Sequence, residues 1–107
     1  MKIWLDDIRD APDDSWTVVR TPQDVIRELV WASTFDVPVE VLSLDHDLGD
    51  DYFTGYYLTN AMEEMAAHGE WNLIPQRFQI HSANPVGRKN MQAAIDSIER
   101  MRNETSV

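Results

Sequence analysis

The stretch Ser43-Leu44-Asp45-His46-Asp47-Leu48-Gly49 decides how the whole chain is interpreted. It continues from Val39, Val41 and Leu42, an apolar and β-branched run that is typical of a buried strand. Two carboxylates and an imidazole therefore stand where that strand ends. In an open α/β sheet, ligands bind beyond the carboxyl ends of the strands, so this stretch predicts a strand and a binding site together.

Two further strand ends show the same arrangement. The acidic pair Asp6-Asp7 follows the predicted strand Lys2–Leu5, and the polar group His81-Ser82-Ala83-Asn84 follows the predicted strand Phe78–Ile80. If the strands are parallel, their carboxyl ends meet at one edge of the sheet. We therefore expect the three polar groups to form one site.

The rest of the chain alternates between strand and helix patterns. Trp16–Arg20 is typical of a strand, and Thr21-Pro22 has the residue types of a helix N-cap and first turn. A second helix is predicted from about Thr54 to a stop at Gly69, and a third begins at Asn84-Pro85. This alternation predicts an α/β domain with a small, mostly parallel four-stranded sheet.

The connection between the first two strands is short. Ten residues separate Leu5 from Trp16, which is at the lower limit for a parallel crossover. We therefore expect the first helix to be absent or reduced, and the second strand is the element whose placement the sequence constrains least.

The composition excludes several classes of protein. At 107 residues with 43% hydrophobic content, the chain is expected to form a single globular domain over residues 1–107. It has no apolar run near the roughly 18 residues of a membrane span, no signal peptide and no cysteine, so we expect a cytoplasmic protein without membrane contacts. The 9 basic and 19 acidic side chains give a net charge of −10, which disfavours nonspecific wrapping of nucleic acid.

Aspartates at the predicted strand ends form a candidate metal site. Asp6 and Asp7 alone could be turn residues, since aspartate side chains often bond their own backbone. Asp45 from a second strand end changes this interpretation, because converging carboxylates repel each other unless a cation neutralises them. Oxygen ligands with room for water suit Mg²⁺ or Mn²⁺.

Two histidines form a second candidate group. His46 and His81 follow strands that we expect to be neighbours, and two imidazoles near a phosphorus atom can act as general acid and general base. Each could instead be a histidine that is only hydrogen-bonded near the core. His68 lies in the last turn of a helix, where the helix C-terminus explains it, and we assign it no role.

The start of the last helix is a candidate anion site. Asn84 and Pro85 are an ordinary helix opening, but a helix opening alone does not predict Gly87 or the two cations Arg88 and Lys89. Free N–H groups, a glycine that lets a ligand approach and an arginine favour phosphate, with the Ser82 hydroxyl and the Asn84 amide as further donors. The alternative is that Arg88 pairs with surplus acidic residues.

The loop Gly49–Tyr57 is rich in aromatic side chains. It could cover the site and offer a surface on which a base stacks. The interpretation that we favour from the sequence is that Tyr56 and Tyr57 pack onto the sheet where the helix starts.

Three motifs resemble a known family. Leu5-Asp6-Asp7-Ile8-Arg9, the stretch 43–49, and His81–Arg88 with Asn90-Met91 are similar to the cyclic-phosphate-processing receiver-like domains, over nearly the whole chain. The resemblance implies a receiver/flavodoxin-like three-layer sandwich with its first helix reduced. It also implies that Asp6, Asp7 and Asp45 bind a divalent metal, that Asp45 accepts phosphate, and that Ser82 is the hydroxyl residue after the fourth strand.

The chain departs from ordinary receivers in three ways. No fifth strand carrying a lysine is visible, His46 and His81 are additions, and the first helix is shortened. These departures put phosphorelay signalling in question.

The leading functional hypothesis is a Mg²⁺-dependent phosphoesterase, or phosphate-processing domain, for cyclic nucleotides or cyclic-phosphate ends. Asp6, Asp7 and Asp45 would hold the metal, and His81 and His46 would transfer protons, with water or Asp45 as the nucleophile. The phosphate would be held by Ser82, Asn84, Arg88 and Arg9. One alternative is a module that binds a nucleotide or phosphate without turnover. Another is an acidic inhibitor of a partner protein, of the type that phages encode.

Overall fold

The computed structural model describes residues 1–105, whose four strands form one parallel sheet. The strands are β1 (Lys2–Leu5), β2 (Trp16–Val19), β3 (Val41–Leu44) and β4 (Phe78–Ile80). Their order across the sheet is β2-β1-β3-β4, and every pairing is parallel. The carboxyl ends of β1 and β3 are therefore adjacent at the centre of the sheet. All four predicted strands are confirmed, with bounds that differ by two residues at most.

Three α-helices and one short 3-10 helix complete the described chain. They are α1 (Pro22–Thr34), α2 (Gly55–Ala67), the 3-10 helix (Trp71–Leu73) and α3 (Pro85–Thr105). Among residues 1–105, no helix combines the length and the apolar character needed to cross a bilayer.

Side chains that precede the helices fix where the helices begin. Thr21 and Thr54 each accept a hydrogen bond from a backbone N–H of the first turn, at 3.1 and 3.2 Å. The Asn84 side chain accepts one in the same way, at 2.9 Å. Gly69 has a φ of +77°, which suits a glycine that terminates α2. The predicted helix limits are therefore confirmed by the contacts that set them.

The connection between β1 and β2 contains no helix, as its length predicts. Side chains hold this loop in place. The Trp4 indole donates to the carbonyl of Arg9 at 3.2 Å, and the Arg20 guanidinium donates to the carbonyls of Asp6 and Arg9, both at 3.0 Å. The loop therefore passes directly over the carboxyl ends of the strands and brings Arg9 to them.

The core lies between the helices and one face of the sheet. Alternate strand residues point to the same face, and those on the buried face form one apolar cluster with side chains from all three α-helices. The largest contributors are Ile3, Leu5, Leu42, Leu44, Leu29, Leu58, Met62, Met91 and Ile98. Full burial of each such side chain stabilises the fold by about 1.5–3 kcal/mol before entropy is counted.

The other face of the sheet has no helix over it in the described part of the chain. It carries Lys2, Trp4 and Trp16, which are half-buried, and Val18, which is 38% exposed. The Trp4 and Trp16 rings meet edge-to-face at 5.6 Å, and Lys2 Nζ lies 4.5 Å from the Trp16 ring centre. The predicted α/β fold with a four-stranded parallel sheet and a reduced first helix is confirmed. A three-layer sandwich has helices on both faces of its sheet. Because no helix connects β1 to β2, residues 1–105 place helices on one face only.

Candidate functional site

The ends of β1 and β3 bring three carboxylates together. Leu5 lies opposite Leu44 in the register, so Asp6 and Asp45 leave the sheet side by side, and the Asp45 N–H donates to the Leu5 carbonyl at 3.0 Å. Asp6 is 1% and Asp45 6% exposed, and Asp7 is half-buried beside them. These aspartates each offer an oxygen within 4.8 Å of the other two. They are the residues that the sequence predicts as metal ligands.

This donor set suits a hard divalent cation. Carboxylate oxygens are preferred ligands of Mg²⁺ and Mn²⁺, and opposite ligands across an octahedral Mg²⁺ are about 4 Å apart. The spread of up to 4.8 Å is close to that separation. Like charges at such distances repel, and burial increases the cost because less water screens them. The cluster therefore requires a positive charge nearby.

Arg9 supplies that charge in this structure. Its Nε donates to Asp6 Oδ2 at 2.9 Å, and its Nη2 lies 3.6 Å from Asp45 Oδ2. The sequence predicts Arg9 as a phosphate ligand, whereas the structure places its guanidinium between two of the predicted metal ligands. The side chain is 55% exposed, so it can leave the carboxylates without disturbing the core.

Asp6 accepts four hydrogen bonds. Its Oδ1 accepts from the backbone N–H groups of Ile8 and Arg9 at 2.9 and 2.8 Å, and its Oδ2 accepts from Arg9 Nε at 2.9 Å and pairs with His81 Nε2 at 3.2 Å. Burial raises the pKa of Asp6, but the bonds from Arg9 and Ile8 outweigh it, and the pKa lies below its ordinary value. A carboxylate has about four acceptor sites. A metal at Asp6 must therefore displace one donor, and the exposed Arg9 is the one able to move.

His81 is held on the helix-free face of the sheet. Its Nε2 pairs with Asp6 Oδ2 at 3.2 Å, and its Nδ1 pairs with Ser43 Oγ at 2.8 Å. The ring stacks on Trp4 with centres 3.8 Å apart and planes 5° from parallel. Burial lowers the pKa of His81, against the opposing effects of the Asp6 hydrogen bond and the Asp45 charge. His81 is therefore neutral near pH 7, and both of its ring nitrogens are in use.

Ser43 and Trp4 are the contacts that the sequence interpretation missed. They lie opposite each other in the register of β1 and β3, and both hold the His81 ring from the helix-free face. The available signal was the buried polar position of Ser43 inside an apolar strand, since a buried hydroxyl requires a partner.

His46 packs on the other side of the sheet, against the start of α3. Its Nδ1 lies 3.2 Å from Asp47 Oδ1, and the Asn84 amide donates to the same oxygen at 3.2 Å. These two hydrogen bonds lower the pKa of Asp47. The Asn84 amide nitrogen lies 3.5 Å from Nδ1, but the shorter contact to Asp47, which can only accept, assigns the proton of a neutral His46 to Nδ1. Within residues 1–105, Nε2 of this ring forms no hydrogen bond, and its lone pair is available.

Gly87 makes room for His46. A Cβ at this position would lie 2.3 Å from His46 Cγ, so any other residue would force the ring aside. The sequence interpretation attributes Gly87 to the approach of a ligand. The structure corrects this, because the imidazole fills that space.

Arg88 and Ser82 mainly hold the turn between β4 and α3. Arg88 Nη1 donates to the carbonyls of Ile80 and Ser82 at 3.2 and 2.9 Å, and the buried Ser82 hydroxyl accepts from the Asn84 N–H at 3.1 Å. Within residues 1–105, Arg88 forms no ion pair, so the alternative explanation by surplus acid is not supported. Binding of phosphate by these residues stays a prediction.

The two histidines do not form a pair. His46 lies against α3, whereas His81 lies against Trp4 on the opposite face, and no ring contact or hydrogen bond joins them in the described residues. Two imidazoles on either side of a phosphorus atom need not touch each other, so their action as general acid and general base stays a prediction. His68, to which no role was assigned, bonds the carbonyl of Glu64 through Nδ1 at 2.8 Å.

The aromatic side chains near the site point outward. Tyr56 and Tyr57 are 40% and 39% exposed, so the expectation that they pack onto the sheet is wrong. In the first turn of α2 the buried positions are Gly55 and Leu58, and Tyr56 and Tyr57 lie between them on the exposed side. Tyr52 is 71% exposed and contacts Phe53 and Tyr57.

Comparisons with known proteins agree with the motifs. A family described as the cyclic-phosphate processing receiver domain matches residues 1–97. No match is found among curated proteins or among solved structures. The match spans all four strands, the carboxylate cluster, His46 and His81. The chain therefore belongs to the cyclic-phosphate processing receiver domain family.

Proposed function

We propose that this domain is a metal-dependent phosphoesterase that opens cyclic phosphates of nucleotides. One observation carries the proposal: the carboxylates of Asp6, Asp7 and Asp45 lie with oxygens within 4.8 Å of one another at the carboxyl edge of the sheet. The family to which the chain belongs processes cyclic phosphates, which supplies the substrate class.

The carboxylates of Asp6, Asp7 and Asp45 would hold Mg²⁺ or Mn²⁺. When bound, the metal would polarise a phosphoryl oxygen and offset negative charge on the phosphate. The remaining chemistry depends on side chains around the cluster.

Arg9 is the residue that we expect to change partners. In the structure it neutralises Asp6 and lies near Asp45. If those carboxylates held a cation instead, the guanidinium would be free to donate to a phosphate oxygen, which it matches in geometry and charge. The prediction that Arg9 binds phosphate is thus compatible with its contact to Asp6.

His46 is the group best placed to accept a proton. Asp47 fixes the ring through Nδ1, which leaves the Nε2 lone pair available as a general base. In the proposed step, water gives a proton to His46 while its oxygen bonds to phosphorus. One ester P–O bond breaks, the leaving sugar oxygen takes up a proton from solvent, His46 returns its proton to solvent, and the product is a phosphate monoester.

His81 is assigned a positioning role. With Nδ1 bonded to Ser43 and Nε2 bonded to Asp6, it fixes the carboxylate without facing the substrate. Asp45 is the second candidate nucleophile, since it is the position at which receivers accept phosphate.

A binding module without turnover is the second candidate function. The hydrogen bonds of Asp6 and His81 favour it, because side chains whose donors and acceptors are already used have none left to exchange a proton with a substrate. The two functions differ only in whether product forms.

The test is incubation of the protein with 2′,3′-cyclic and 3′,5′-cyclic nucleotides in Mg²⁺ or Mn²⁺, followed by ³¹P NMR. We expect a monoester signal from wild type, loss of it in Asp45→Asn, and a fall of roughly 10²-fold in His46→Ala. Asp14→Asn, an exposed acid in the β1–β2 loop, is the matched control and should keep full activity. Binding without product would favour the binding module, and neither binding nor product would exclude both.

A further inference from the structure

The loop between β3 and α2 begins and ends beside residues of the carboxylate cluster. A Cβ on Gly49 would lie 3.3 Å from Asp7 Oδ2, so the loop leaves the sheet against that carboxylate. At its other end, Gly55 donates to the His46 carbonyl at 3.0 Å, and a Cβ on Gly55 would lie 2.2 Å from the Asp45 carbonyl oxygen. Residues 50–54 therefore bridge two points of the proposed catalytic site.

Hydrogen bonds give this loop a defined shape. Asp50 Oδ1 accepts from the N–H groups of Tyr52 and Phe53 at 2.7 and 2.9 Å, and the Thr54 N–H donates to the Tyr52 carbonyl at 3.1 Å. The Thr54 hydroxyl in turn caps α2. The side chains on the loop are therefore presented from a fixed backbone.

Tyr52 and Phe53 of the loop and Tyr57 of α2 form a cluster of three aromatic rings, in which Tyr52 and Tyr57 are exposed and Phe53 is half-buried. Tyr52 contacts Phe53 at 4.9 Å and Tyr57 at 5.7 Å between ring centres, and Phe53 contacts Tyr57 at 4.9 Å. Tyr52 is the outermost, at 71% exposed. It lies three residues from Gly49 and three from Gly55, and three residues of chain span at most about 11 Å. The backbone of Tyr52 is thus within about 11 Å of both glycines.

We propose that Tyr52, backed by Phe53 and Tyr57, is a stacking surface for the base of a nucleotide whose cyclic phosphate lies at the carboxylate cluster. This inference rests on the proposed function and adds a surface, outside the phosphate site, that binds the base of the nucleotide. In a nucleotide a single sugar separates the base from the phosphate. A base therefore lies close to its phosphate, as the exposed Tyr52 ring lies close to the proposed phosphate site. Stacking on an aromatic ring tolerates any base, because every base has a π-face.

A second pair of exposed aromatic side chains lies away from the carboxylate cluster and serves for comparison. Trp31 and Phe35 on α1 are 47% and 64% exposed and contact each other at 5.3 Å, but no contact joins them to the carboxylate cluster within residues 1–105. The Tyr52 cluster differs because the loop that carries Tyr52 and Phe53 begins and ends beside the proposed site. Phe35 therefore serves as an exposed aromatic control.

The test is calorimetric titration in Mg²⁺ with two ligands, adenosine 2′,3′-cyclic phosphate and ethylene phosphate, which has the cyclic phosphate without sugar or base. Wild type should bind the nucleotide more tightly. Tyr52→Ala should weaken nucleotide binding by roughly fivefold to 150-fold and leave ethylene phosphate unchanged. Tyr52→Phe and Phe35→Ala should bind both ligands as wild type does, and melting curves should show that all variants are folded.

The outcomes separate this inference from the proposed function. Nucleotide binding by Tyr52→Ala that equals wild type, or an equal loss for both ligands, would overturn the stacking surface while leaving the site intact. Wild-type affinity for ethylene phosphate that equals the affinity for the nucleotide would do the same. Failure of wild type to bind either ligand would overturn both proposals.

Discussion

At Arg9 the chain places its own guanidinium where a metal is expected to bind. The Nε contact to Asp6 at 2.9 Å and the Nη2 approach to Asp45 at 3.6 Å neutralise two buried carboxylates. Hydrogen bonding and charge from Asp6 raise the pKa of Arg9, so this cation is permanent. A divalent ion at this site would therefore compete with the arginine for the same oxygens.

Arg9→Gln should separate these two effects. Without the guanidinium, Asp6 and Asp45 repel each other with less compensation, and the metal-free protein should melt at a lower temperature. The affinity for Mn²⁺ should rise several-fold, because the metal no longer displaces a competing charge. Calorimetry and melting curves measure both, with Arg27→Gln, which removes the exposed pair with Asp24, as control. An unchanged or weaker Mn²⁺ affinity in Arg9→Gln would show that the guanidinium does not compete.

His81 should make stability depend on pH. Burial holds its pKa in the folded state below the ordinary value of 6.5. The unfolded chain therefore takes up the proton first, and unfolding becomes more favourable as the pH falls through about 6.5. We expect the unfolding free energy of the metal-free protein, measured with urea, to fall between pH 7.5 and 5.5. His81→Gln should show a shallower fall, and identical slopes would mean that this histidine is not buried neutral.

The sequence predicts the roles of some site residues but not of others. Asp6 and Asp45 are predictable, because the strand-end rule needs only the pattern of apolar residues. The role of Gly87 is not, since it depends on which side chain fills the space above its Cα. Arg88 is similar, because its carbonyl partners are set by how the turn after β4 closes.

Among the strands, the alternation of side chains between the two faces predicts on which side of the sheet each histidine lies. An interpretation that treats His46 and His81 as a pair overlooks this. Leu44 and Ile80 both point into the core. His46 is two residues past Leu44, and His81 is one residue past Ile80. Since side chains alternate between faces, the two rings leave the sheet on opposite sides. The opposite placement of the two histidines is therefore predictable by counting along each strand from its last buried residue.

Helix α3 fixes His46 through Gly87, and Gly87→Ala should disturb that fit. The added Cβ would lie 2.3 Å from His46 Cγ, which cannot move as the end of a flexible side chain can. Overpacking of this kind costs typically about 1–3 kcal/mol, so the melting temperature should fall by several degrees and turnover should fall with it. Val86→Ala, at the neighbouring position that is 68% exposed, should leave both unchanged. Normal melting and normal turnover in Gly87→Ala would contradict the assigned fit.

For the molecule as a whole, the distribution of charge agrees with a site for a small ligand and a cation. The chain has a net charge of −10, and many of its acidic residues lie in the loops beyond the carboxyl ends of the strands. Such a surface repels a long polyanion and attracts divalent ions. The sequence predicts this charge balance fully, but it does not show that Arg9 reaches back across the cluster, because that contact depends on the loop from β1 to β2.

The most direct measurement is a titration of the metal-free protein with Mn²⁺, followed by calorimetry. Wild type should bind one ion, and Asp6→Asn and Asp45→Asn should each weaken binding by roughly tenfold or more, since loss of an outer-shell partner alone costs that much. Asp14→Asn should bind as wild type does. If Asp45→Asn binds Mn²⁺ as tightly as wild type, or if wild type binds none, the carboxylate cluster is not a metal site and the proposed mechanism fails.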